Sequence, residues 1–154
     1  MRVLFVCLGN ICRSPTAEGI ARHQLLEAGL GGRVEVASAG TGDWHVGKPP
    51  DRRAQQAAKA RGYDLSLLRG QQVSAEDFRD YDLILAMDHA NLADLKRLQP
   101  ANAKAELDLF LRRYGAAVEQ VPDPYYGGAD GFDHVLDLVE FGCRGLVNEV
   151  KGRP

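Results

Sequence analysis

The chain has 154 residues, a formal net charge of −2 at pH 7 and 45% hydrophobic residues. These values are typical of one soluble domain that buries its own core, and they give no basic surface for nucleic acid. Three cysteines are too few, and odd in number, to form a disulfide framework. No apolar stretch approaches the ~20 residues of a membrane span, and no signal sequence is evident. We therefore expect a cytoplasmic protein that contacts neither nucleic acid nor membrane.

Apolar strand-like runs alternate with helical segments along the chain. The first run, 2–7, predicts a buried strand, and Ser14 with Pro15 predicts the N-cap and first residue of a helix that ends near Gly29. The remaining predicted elements are, in order, strand 34–39, helix 51–61, helical turn 74–78, strand 83–87, helix 89–98, strand 105–107 and helix 132–151. This order predicts an α/β fold, a single three-layer domain over residues 1–154 with a central, mostly parallel, four-stranded twisted sheet and helices on both faces.

Ligands of such a sheet bind at the carboxyl ends of the strands, where the loops 8–14, 40–50 and 121–131 leave it. The first loop carries the pattern Cys-x5-Arg-Ser, which begins at Cys7 and ends at Ser14. Its backbone amides and the following helix N-terminus can bind a phosphate, and Arg13 can bind two phosphate oxygens. The same positive groups favour the thiolate of Cys7, and Ser14 can donate to its sulfur. The pattern predicts a phosphate site with a cysteine nucleophile; the alternative is a buried structural cysteine beside a chance arginine.

Residues 6–18 resemble the signature of the low-molecular-weight protein tyrosine phosphatases, and further matching motifs follow at 38–41, 43–47, 87–92 and 123–126. The resemblance implies hydrolysis of phosphotyrosine monoesters through a phosphocysteine on Cys7, with no metal or other cofactor. Arg13 would then be catalytic together with Cys7. The residues expected to bind phosphate or support its loop are Leu8, Gly9, Asn10, Ile11, Cys12, Ser14 and Ser38.

The family resemblance assigns the general acid to the Asp-Pro motif at Asp123. A carboxyl on a loop at this edge of the sheet can reach the leaving oxygen, although Pro-Asp-Pro is also good turn chemistry. Trp44, Tyr125 and Tyr126 are the expected aromatic walls of the substrate cleft, with ordinary packing as the alternative. Four histidines show no metal-ligand spacing, so no metal site is expected.

Four further positions have weaker signals. In the family, the cysteine at the position of Cys12 forms a reversible disulfide with the nucleophile, whereas the alternative here is a small loop filler. Many relatives carry a histidine where Leu68 stands, so the polar support of the loop is expected to be smaller or closed by another group. Asp88 and Asn91 open a helix, and we interpret Asp88 as its cap.

Three other functions are compatible with parts of this pattern. Protein-arginine phosphatases of the same fold tend to carry threonine where Ile11 stands, so Ile11 favours an aryl substrate. Arsenate reductases need a relay of downstream cysteines, and only Cys143 lies downstream here. A non-catalytic phosphate-binding module would not need Cys7 or Asp123. The expected partners are tyrosine-phosphorylated proteins, among them an autophosphorylating tyrosine kinase, with phosphate as product and inhibitor. We expect a monomer or a weak dimer.

Overall fold

The computed structural model describes residues 1–125 and 127–153, and within them the sheet has four strands. The strands are β1 (Arg2–Cys7), β2 (Glu35–Gly40), β3 (Leu83–Ala86) and β4 (Glu106–Leu109). They lie in the order β2-β1-β3-β4, and all neighbouring pairs are parallel. The predicted α/β fold is therefore confirmed, with a sheet that is entirely parallel.

Helices cover both faces of this sheet. They are α1 (Arg13–Glu27), α2 (Arg52–Ala60), α3 (Asp77–Asp80), α4 (His89–Leu98), α5 (Phe110–Arg113) and α6 (Ala129–Lys151). The apolar residues of α1, α5 and α6 pack on one face around Phe5. Those of α3 and α4 pack on the other face around Leu4. Because both faces of β1 are covered, its run 3–7 is buried throughout, as its continuous apolar sequence predicts.

Four predicted elements have a boundary that lies two or more residues from the observed one. Ser14 is not the N-cap of the first helix, because α1 begins at Arg13 and Cys12 occupies the cap position without a side-chain cap. The last helix begins at Ala129 rather than at 132. The short strand at 105–107 lies instead at Glu106–Leu109, and α5 follows it at once without having been predicted. The helical turn expected at 74–78 forms at Asp77–Asp80.

Three loops meet at the carboxyl edge of the sheet. Cys7, the last residue of β1, pairs with Gly40, the last residue of β2. Met87 follows β3, and its carbonyl accepts a hydrogen bond from the amide of Val121 at 2.8 Å. This contact brings the segment 121–125 beside the loop that follows Cys7. No helix in the described part of the chain is long and apolar enough to cross a bilayer.

Candidate active site

The loop between β1 and α1 wraps around the sulfur of Cys7. Cys7 is 2% exposed, and its Sγ lies 3.0 Å from the hydroxyl of Ser14. The amide of Asn10 donates to the same sulfur at 3.3 Å. The Ser14 hydroxyl thus lies between the sulfur and the backbone carbonyl of Ala39, which accepts from it at 3.3 Å, and it does not cap the helix. When Cys7 is a thiolate, which is the nucleophilic form of cysteine, both the Ser14 hydroxyl and the Asn10 amide can donate to it.

Asn10 holds this loop in its shape. It adopts a left-handed backbone conformation, with φ of 57°, which costs about 1 kcal/mol for a residue other than glycine. Its side-chain amide donates to Ser14 at 2.8 Å and to Ser38 at 3.0 Å, and its Oδ1 accepts from the amide of Gln71 at 3.0 Å. Each such bond contributes about 1 kcal/mol, so three of them outweigh the strain. The structure therefore places Asn10, Ser14 and Ser38 in one buried polar network.

Glu18 closes the network on the side away from the cavity. Its buried carboxylate accepts a hydrogen bond from the Ser38 hydroxyl at 2.7 Å and pairs with Arg22 at 2.7 Å. Leu68, which stands where many relatives carry histidine, packs instead against the apolar core. The Glu18 carboxylate and the backbone amide of Gln71 thus provide polar support for the loop, and no histidine at position 68 is needed. The sequence analysis assigned Glu18 no role at the site, because its contact with Ser38 bridges 20 residues of sequence.

Arg13 is a buried cation with fixed orientation. Its side chain is 3% exposed, and Nη1 donates to Asp88 Oδ2 at 2.6 Å and to the carbonyl of Val121 at 3.0 Å. Burial lowers the pKa of Arg13, but the Cys7 sulfur and the Asp88 carboxylate outweigh it and raise the pKa overall. The guanidinium therefore stays charged, and its remaining N–H groups are free to face a phosphate.

Asp88 has a second role that the sequence reasoning missed. As predicted, it caps α4, since its Oδ1 accepts from the amide of Asn91 at 2.7 Å. Its other oxygen orients Arg13. The sequence did contain a signal for this second role: the motif at 87–92 that matches the phosphatase family extends over more residues than a helix cap requires.

A cleft of about 340 Å³ opens above Cys7. Its walls include Trp44 and Tyr125, which are 61% and 37% exposed, so neither belongs to the core. The other lining residues are Leu8, Gly9, Ile11, Cys12, Arg13, His45 and Asp123. His45, which sequence reasoning did not assign, lies against Gly9. Tyr126 lies outside the described residues.

Asp123 lies on the rim of the cleft. Its Oδ2 is 3.6 Å from Nη2 of Arg13, and its side chain is 42% exposed. Its Oδ1 accepts a hydrogen bond from the amide of Tyr125 at 3.0 Å. The carboxyl is thus held beside the cation that would bind a phosphate, while it remains open to water.

Cys12 is buried at the N-cap position of α1, where it also forms part of the lining of the cleft. Burial raises the pKa of its thiol far above the ordinary value, and the charge of Asp51 adds to the effect. Cys12 is therefore a neutral thiol at pH 7. Its redox role stays a prediction.

Known proteins resemble the chain over almost its whole length. A family model described as low molecular weight phosphotyrosine protein phosphatase matches residues 2–153. A low molecular weight protein-tyrosine-phosphatase of Streptomyces coelicolor is 44% identical over 97% of this chain and 93% of its own. The solved Drosophila arginine phosphatase is 34% identical, with a TM-score of 0.92 and full coverage of both chains. Vibrio vulnificus Wzb, solved with benzylphosphonate, is 30% identical, with a TM-score of 0.84 over 96% of this chain and 97% of its own. The chain belongs to the low molecular weight phosphotyrosine protein phosphatase family, whose members are hydrolases.

Proposed function

We propose that this protein hydrolyses phosphotyrosine monoesters in proteins, in two steps, through a phosphocysteine on Cys7. One observation carries the proposal. The sulfur of Cys7 lies within 3.3 Å of the Ser14 hydroxyl and the Asn10 amide, it interacts electrostatically with the buried guanidinium of Arg13, and Asp123 lies 3.6 Å from that guanidinium. A nucleophile, an anion site and a proton donor therefore share one cleft.

In the first step the Cys7 thiolate attacks phosphorus, and the bond from phosphorus to the phenolic oxygen breaks. Arg13 and the loop amides bind the equatorial oxygens, whose charge changes in the transition state. The carboxyl of Asp123 gives its proton to the departing oxygen.

In the second step water attacks the phosphocysteine. The carboxylate of Asp123 takes a proton from that water, the bond from sulfur to phosphorus breaks, and phosphate leaves. The Ser14 hydroxyl and the Asn10 amide stabilise the thiolate as it forms again, because both groups already lie within 3.3 Å of the sulfur. Phosphate, the product, should also act as a competitive inhibitor.

The walls of the cleft favour a flat aromatic leaving group. Trp44 and Tyr125 offer ring surface above the phosphate loop, and Ile11 adds an apolar wall. A phenyl ring buries its faces against such walls, whereas the short side chain of phosphoserine would reach the loop without filling them. The benzylphosphonate bound to the Vibrio vulnificus neighbour has the same combination of aromatic ring and tetrahedral anion.

Phosphoarginine is the second candidate substrate, because the Drosophila arginine phosphatase superposes on the full chain. Ile11, where that group tends to carry threonine, argues against it. An arsenate reductase has less support, since the downstream Cys143 is fully buried and donates to the carbonyl of Ala17. The partners that follow are tyrosine-phosphorylated proteins, including an autophosphorylating tyrosine kinase.

The mechanism is tested with Cys7→Ser, assayed on an aryl phosphate with a chelator present. We expect turnover to vanish, whereas Cys143→Ala, which alters only the core, should retain it. Surviving turnover in Cys7→Ser would overturn the phosphocysteine. Rates on phosphotyrosine, phosphoserine and phosphoarginine peptides, measured side by side, decide the substrate. A faster rate on phosphoarginine would replace the first candidate by the second.

A further inference from the structure

Arg53 lies beside Tyr125, a wall residue of the cleft, and binds two segments that are far apart in sequence. It lies in the first turn of α2, and its Nη2 donates to the carbonyl of Tyr125 at 2.9 Å. Its Nε and Nη2 also bind the two carboxylate oxygens of Asp51, at 3.1 and 3.0 Å. The planar guanidinium suits such a set of acceptors, because its N–H groups have fixed directions.

Asp51 connects Arg53 to the phosphate loop. Its amide donates to the carbonyl of Ile11 at 2.7 Å, and its carboxylate caps α2 by accepting the amide of Arg53 at 2.8 Å. Asp51 is therefore fixed to the loop by its backbone and to the arginine by its side chain. These contacts form a chain of hydrogen bonds that begins at Ile11, in the loop that follows Cys7, and reaches Arg53 through Asp51.

The other end reaches the general acid. Tyr125 binds Arg53 through its carbonyl and Asp123 through its amide, which donates to Asp123 Oδ1 at 3.0 Å. On the other side of Asp123, the amide of Val121 binds the carbonyl of Met87. The acid thus lies between two anchored backbone positions.

Aromatic contacts fix the guanidinium itself. Its central carbon lies 4.8 Å from the ring centre of Phe132, a buried residue of α6, and 5.5 Å from that of Tyr125. A single exposed ion pair contributes little to stability, because ordering the two side chains costs entropy. Arg53 incurs that entropy cost once for several contacts, since the same guanidinium is stacked on two rings and bound to a carboxylate and a carbonyl. Arg53 is therefore held firmly despite its exposure.

We infer that Arg53 is a positioning residue for Asp123, holding the acid over the phosphate loop through Asp51 and the backbone of Tyr125. The inference rests on the proposed function, because it presumes that Asp123 transfers a proton. Arg53 touches neither the sulfur nor the leaving oxygen in this scheme. Its loss should therefore weaken proton transfer and leave the phosphate cradle intact.

The test compares Arg53→Gln, Arg53→Lys and Arg52→Gln in kcat/KM on aryl phosphates whose leaving groups differ in basicity. Arg52 is the matched control, because it is the adjacent exposed arginine on the same helix. For phenyl phosphate, whose leaving group needs the acid, Arg53→Gln should lower kcat/KM by about tenfold. For para-nitrophenyl phosphate the loss should stay below about threefold, Arg53→Lys should fall between, and Arg52→Gln should match the wild type.

The same variants are then made in an Asp123→Ala background. If Arg53 acts through the acid, Arg53→Gln should cause no further loss there. A loss that is equal for all leaving groups, or that persists without Asp123, would overturn the inference and indicate direct substrate binding. No loss at all would overturn it as well. If Asp123→Ala alone shows no dependence on the leaving group, the proposed function fails at its acid, independently of Arg53.

Discussion

Gly40→Ala should damage the phosphate loop from behind. Gly40 ends β2 beside Cys7, and a Cβ built there would lie 2.8 Å from the carbonyl oxygen of Leu8. It would also lie 3.1 Å from the carbonyl carbon of Gly9 and 3.2 Å from the amide nitrogen of Asn10. All three atoms are backbone, so no side chain can rotate away. Ordinary contact distances require the loop to move by about 0.5 Å or more.

This displacement has two separate consequences. Forced overpacking costs about 1–3 kcal/mol of the free energy of unfolding. The shift also moves the Asn10 amide, which now donates to the Cys7 sulfur at 3.3 Å, and misplacement by a fraction of an ångström should lower kcat/KM by about tenfold. The inhibition constant of phosphate should rise along with it, since the same amides bind the product.

The assay combines urea unfolding, steady-state kinetics on an aryl phosphate and inhibition by phosphate. Gly32→Ala is the matched control, because a Cβ at Gly32 meets nothing within 4 Å. It should leave all three measurements unchanged. If Gly40→Ala loses stability but keeps kcat/KM and phosphate inhibition, the loop behind Gly40 is not the phosphate site. If it keeps its stability too, the packing argument itself is wrong.

Three other changes test separate parts of the structure. Asp88→Asn removes the charge that orients Arg13, and we expect kcat/KM on aryl phosphates to fall by about tenfold. An unchanged kcat/KM would show that the orientation of Arg13 does not depend on the charge of Asp88. Glu149→Gln removes a carboxylate whose pKa is lowered from 4.5 to about 2, chiefly by Arg113. A carboxylate whose pKa is lowered by folding stabilises the fold at pH values above its unfolded-state pKa. The variant should therefore lose about 1–2 kcal/mol of the free energy of unfolding at neutral pH, after allowance for solvent screening. Urea unfolding should show this difference shrinking as the pH falls from about 4.5 towards 2. A difference that does not change with pH would contradict that origin. Cys12→Ser should recover less activity after mild peroxide treatment and reduction, and equal recovery would reject the redox role.

Much of the fold could be predicted because the signals were local and strong. The run 2–7 is apolar at almost every position, and consecutive apolar residues in so short a run are typical of a strand that is covered on both faces. The start of α6 was placed three residues late, because Gly127, Gly128 and Gly131 surround its first turn and weaken the helical pattern. The predicted position of β4 was shifted by one or two residues, because only Leu109 in this strand is fully buried and the apolar pattern is correspondingly weak.

At the site, residues that act through local spacing were easier to predict than residues that act across the fold. The motif from Cys7 to Ser14 could be recognised because its parts are consecutive. Asp88 was interpreted as a helix cap, and no pattern in the sequence singled out Arg53. Their contacts with Arg13 and Tyr125 bridge 75 and 72 residues of sequence, which no local pattern encodes.

The strand order also determines how Cys7, the proposed nucleophile, is exposed during fluctuations of the native state. Cys7 ends β1, which has a hydrogen-bonded neighbour on each side, so no edge of the sheet can fray to release it. Amide protons of an interior strand exchange with solvent mainly through opening of the whole domain. An oxidant or alkylating reagent therefore reaches the sulfur through the cleft, at a rate set by what occupies the cleft and not by the stability of the protein. Bound phosphate should then shield the thiolate sterically and electrostatically, even in a destabilised variant.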